Sequence, residues 1–158
     1  MPQQNASSRL KPLSTASLAR RQMIGRILTQ YAGGRVADSS AVAEAAMRTW
    51  IRAAGELALL IGQGGVRAIY ARSLHVTRSS YPWLPEVEQP TQTETAFANL
   101  KVGLERREAA DALEASTALL VTFTDILATL IGEAMTTHLM NSAWADPASS
   151  QAVKELEQ

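Results

Sequence analysis

Residues 40–65 read SAVAEAAMRTWIRAAGELALLIGQGG, and this run decides the fold. Val42, Ala46, Trp50, Ala53, Leu57 and Leu60 recur at three- and four-residue steps. Met47, Ile51, Ala54, Ala58 and Ile61 make a neighbouring row, and Glu44, Arg48, Arg52 and Glu56 stand four apart on the opposite face. An α-helix brings residues three and four apart to one side, so the spacing predicts an amphipathic helix. Ser39-Ser40 after Asp38 supply its start, because these side chains cap free backbone N–H groups. Gly62-Gln63-Gly64-Gly65 interrupts or kinks it.

Working outward, Ser17 to Tyr31 reads as a first helix with Leu18, Met23, Ile24, Ile27 and Leu28 on its apolar face, ended by Gly33-Gly34. A further helix runs from Val66 to Thr77 with Val66, Ile69, Tyr70 and Ser73 inward. Tyr81-Pro82-Trp83-Leu84-Pro85 and Pro90 define a loop. Thr91-Gln92-Thr93-Glu94 fits a capping box, after which Phe97, Leu100 and Leu104 form a stripe. Residues from Thr93 to Asn141 make one helix or two, the second opening near Asp111. Leu113, Leu120, Phe123, Leu127, Leu130 and Ala134 are its expected buried side. Sustained period-two alternation is missing, so no strand is expected. The fold class is all-α, a single antiparallel bundle of four to five helices over residues 16–144. Residues 1–15 read as a disordered arm and 145–158 as a mobile tail.

Leu57–Gln63 echoes Leu127–Glu133 at an offset of 70 residues. The echo either marks two equivalent helix pairs or arises by coincidence, which an Ala/Leu-rich helical chain makes the readier explanation.

The 158 residues suit one domain. The absence of cysteine excludes disulfides, thiolate metal sites and a thiol nucleophile. The polar start lacks a signal-peptide core, and the most apolar stretch, Ala118–Ile131, falls short of the ~20 residues a membrane span needs. A cytoplasmic protein is expected. Arg outnumbers Lys twelve to three, a bias that accompanies GC-rich bacterial genomes. Net charge is zero, but residues 1–80 carry eleven basic and three acidic side chains, and residues 81–158 carry four and twelve. Such a molecule either pairs its halves internally or associates through opposite charges.

His75 falls on an outer helix face with Arg72 and Arg78 three residues either side. That layout resembles a histidine phosphotransfer domain, in which a cation steadies the phosphorylated imidazole. Such domains usually carry Lys-Gly after the His-x-x step, whereas Arg78-Ser79 stands here. His138, counted on the Leu127–Leu130 side with Met135 before it, suggests a haem or small hydrophobic ligand bound near Trp50 and Trp83. Core filling is the plainer role for such a Met-rich end. Asp125 is read as a solvent-side or interface residue. The run Gly62–Gly65 lacks the strand and the Gly-Lys-Ser/Thr of a phosphate loop. Arg20, Arg21, Arg26 and Arg35 give the first helix a basic outer face, but no aromatic residue interleaves with them, so nucleic acid is not an expected partner. Tyr81 and Trp83 either lid the bundle, with Trp144 against them, or form a docking patch. Catalytic carboxylate pairs, Ser-His-Asp sets and His-Glu-x-x-His are missing, so no enzyme activity, metal or required cofactor is expected. The preferred reading is a non-enzymatic regulatory or signalling interaction domain, homodimeric or bound to another protein. The alternatives are a ligand-sensing bundle and phosphotransfer through His75.

Overall fold

The computed structural model describes residues 15–86 and 92–145, all of one packed domain. Five helices follow in order: α1 (Thr15–Tyr31), α2 (Ser39–Thr77), α3 (Thr93–Glu105), α4 (Ala109–Ile131) and α5 (Glu133–Ala143). Among the described residues there is no strand. Most of the arm expected at 1–15 and of the tail at 145–158 lies outside the described residues, as does Thr91 of the expected capping box. The residue that caps α3 is Gln92, whose side chain makes no capping bond. At α2 the expected cap forms, with the Asp38 carboxylate accepting from the Ser40 N–H at 3.0 Å. The segment from Thr93 to Asn141 is neither one helix nor two, because Arg106–Glu108 and Gly132 divide it into three.

Gly62 bends α2 with φ 78° and ψ 167°, and Gly132 separates α4 from α5 with φ 92° and ψ 157°. Both lie in a backbone region that side-chain-bearing residues avoid. Shifting by 70 residues carries the start of α2 at Ser39 onto that of α4 at Ala109, and one glycine break onto the other. The burial pattern follows the same shift. Trp50 and Leu120, Ala53 and Phe123, Leu57 and Leu127, Val66 and Thr136, and Tyr70 and Met140 are buried on both sides. The chain holds two helix–glycine–helix units in matching register.

The core lies between α2 and α4, with α1 chiefly on α4 and α3 chiefly on α2. Trp50 is its centre, edge-on to Tyr70 at 5.0 Å and to Phe123 at 4.8 Å, with Phe97 at 5.7 Å. Such edge contacts add to the burial of large rings. By length and composition α4, which begins nine residues before the Ala118–Ile131 stretch, is long and apolar enough to cross a membrane. In this fold it is a core helix, burying Leu119, Leu120, Phe123 and Leu127.

Candidate interaction surface

The residues singled out in the sequence are not gathered in one place. Trp50 is enclosed by aromatic rings, and its Nε1–H has no partner. Met135 and His138 stand exposed on α5. Counting His138 onto the Leu127–Leu130 side carries the helical phase through Gly132, and the break there resets it. Trp144 is buried, and its indole N–H donates to the Thr49 carbonyl at 3.0 Å, tying the end of α5 to α2. Tyr81 and Trp83 meet edge-on at 6.4 Å and are half-buried, with Leu84 beneath them fully buried. Arg107 lies over the Trp83 ring at 4.7 Å. Burial, with a hydrogen bond to Glu114 second, raises the Tyr81 phenol above its usual pKa.

His75 and Arg72 are exposed on the last turns of α2. Arg78 is engaged elsewhere: its Nε–H donates to the Leu84 carbonyl at 3.0 Å and its guanidinium pairs with Glu86 at 3.1 Å. These bonds hold the loop against α2. Among the described residues no three His, Asp or Glu side chains converge where they could hold a metal ion.

Arg20 corrects the reading of α1 as uniformly basic outside. It is buried, and its guanidinium pairs with Asp125 on α4 and Glu133 on α5. Ser17 donates to the same Asp125 carboxylate at 3.3 Å. Part of the charge asymmetry between the two halves is thus absorbed internally. Arg21 and Arg26 do face outward, along an open groove of about 770 Å³ lined also by Gln22, Gly25, Thr29, Gln30, Leu113 and Thr117.

Several large apolar side chains stand exposed on α2 and α4, among them Leu59, Leu60 and Leu130 close before the two glycine breaks. On α2, Ile51 is 60% exposed, Leu59 87% and Leu60 51%; on α4, Leu130 is 64% exposed. Leu60 and Leu130 were expected inside, at the ends of their apolar stripes. Both residues lie two positions before a glycine with positive φ, at the end of an otherwise buried stripe. Beside these residues, Arg48 and Arg52 stack over the Tyr31 ring at 5.2 and 5.5 Å. No family model, curated protein or solved structure matches this chain.

Proposed function

We propose that this chain is a non-enzymatic, all-α regulatory interaction domain that works as a homodimer. The supporting observation is the outer face of α2, where Ile51 and Leu59 remain in water although the inner face of the helix is used by the core. Large apolar side chains aligned on one exposed helix face give a second helix apolar surface to bury, the dominant favourable contribution in most protein association. In this reading the bundle is antiparallel. Arg20 near the start of α1 reaches Asp125 and Glu133 near the end of α4, while Gln30 at the other end of α1 lines a groove with Leu113. Sedimentation equilibrium across micromolar concentrations tests the proposal. The expected result is a species of twice 17.0 kDa; a monomer at every concentration overturns it.

A further inference from the structure

Gly55 stands in the middle of a long helix, where glycine is less favourable than alanine. It is exposed, and a Cβ added to it would meet nothing within 4 Å. Nothing inside the chain therefore requires a glycine here, whereas a second backbone crossing close over α2 would. One turn before it stands Ile51 and one turn after it Leu59, both in water. The matching positions on α4 behave differently. Val121, which answers to Ile51, is buried, and Asp125, which answers to Gly55, is held by Ser17 and Arg20 of α1. Thr129, which answers to Leu59, is exposed, so α1 covers the first two positions of this row in one unit, and the same two stand bare in the other.

We propose that a second copy of this chain covers the bare row, with the two α2 helices crossing antiparallel and Gly55 on the twofold axis. The proposal rests on the self-association reading above and names its surface. At a rise of about 1.5 Å per residue, Ile51 and Leu59 lie about 6 Å on either side of Gly55, so an antiparallel copy sets each Ile51 level with the partner's Leu59. Charge agrees with that direction. Arg52 and Glu56 share one flank of the row, about 4.5 Å before and about 1.5 Å after Gly55 along the axis. The antiparallel arrangement brings each Arg52 close in height to the partner's Glu56, twice by symmetry. In a parallel pair the twofold carries this flank to the opposite side of the seam, so neither Arg52 meets the partner's Glu56. Stacking on Tyr31 at 5.5 Å holds Arg52 on that flank.

The test is sedimentation equilibrium of wild type, Leu59→Glu, Gly55→Leu, Arg52→Glu and the exchange Arg52→Glu/Glu56→Arg, with far-UV circular dichroism of each. All four positions are exposed or half-exposed, so helix content is expected to hold. Leu59→Glu and Gly55→Leu should each weaken the dimer at least tenfold. Arg52→Glu should weaken it, and the exchange should recover most of the loss. Gly55→Leu, which has open space for its side chain within one copy, keeps the test valid if Leu59→Glu disturbs folding. A wild-type dimer that survives both Leu59→Glu and Gly55→Leu overturns this surface while leaving self-association intact. A wild-type monomer overturns both.

Discussion

Arg20 carries a charge inside the protein, and its two partners do not. The Arg20 side chain is 7% exposed, against 40% for Asp125 and 51% for Glu133. The stability cost of breaking this cluster should therefore depend on which side is removed. Asp125→Asn with Glu133→Gln keeps the shapes and deletes both negative charges, leaving a buried guanidinium without compensation. Breaking buried pairs in that way costs about 3–5 kcal/mol. Arg20→Met deletes the buried charge and its unpartnered Nε–H and fills the stem's volume. The two carboxylates it leaves behind are half in water, so the loss should resemble that of a surface pair, about 1 kcal/mol or less. Adding Arg20→Met to the double variant should then recover most of the stability. Urea unfolding followed by circular dichroism reads these differences as shifts in midpoint, with the slope unchanged. The reasoning is refuted if Arg20→Met costs as much as Asp125→Asn/Glu133→Gln, or if the triple variant is no more stable than the double.

Other expectations concern the glycines and the core. Gly62→Ala and Gly132→Ala should each destabilise by about 1–3 kcal/mol, because both glycines hold positive φ. Gly55→Ala, in ordinary helix with open space around it, should stabilise an isolated copy by about 0.5–1 kcal/mol; thermal melts at concentrations below the dimer constant separate the signs. Tyr70 has a buried hydroxyl without a partner, so Tyr70→Phe should be neutral or stabilising by about 1–3 kcal/mol in urea melts. Burial raises the Tyr70 phenol above its ordinary pKa. The unfolded phenol ionises near pH 10, so stability is intact below that pH and falls as pH rises above it. Urea melts between pH 8 and about pH 11 should show a smaller alkaline loss in Tyr70→Phe, with Tyr81 supplying a remainder of the same sign. Trp144→Phe removes the donor to the Thr49 carbonyl and should lower stability by about 1–3 kcal/mol, measured the same way.

Much of the fold was legible because periodicity reports burial wherever one helix stays unbroken. Val42, Ala46, Met47, Trp50, Ala53, Ala54 and Leu57 of the α2 rows, the inner face of its second part at Val66, Ile69, Tyr70 and Ser73, and the α3 stripe lie inside, whereas Ile51 of the second row is exposed. The misreadings have physical causes. His138 was placed by counting through Gly132, where the helical phase is lost. Arg20 was placed by its charge, although it lies three residues from Ser17 and four from Ile24, both buried on the same side of α1; its spacing carried the signal and its chemistry obscured it. Leu60 and Leu130 were placed by extending a stripe up to a glycine break, where the inward face ends two residues early. The bare Ile51 and Gly55 on α2 became recognisable only beside Val121 and Asp125 on α4, which α1 covers, a comparison that needs the matching register of the two units.

The chain has no cysteine, so single-cysteine variants can place the crossing point directly. Helices packed about 8–10 Å apart bring Cα atoms on their facing lines to about 4–5 Å, within disulfide reach. In an antiparallel crossing centred on Gly55 only that position meets its own copy, since residues 51 and 59 lie about 12 Å from theirs along the axis. Oxidation of Gly55→Cys, Ile51→Cys and Leu59→Cys, with Ala98→Cys on α3 as reference, should give rapid cross-linking at position 55 and slow cross-linking at the other three. Equal rates at 51, 55 and 59, or a rate at 55 no faster than at 98, would contradict the account.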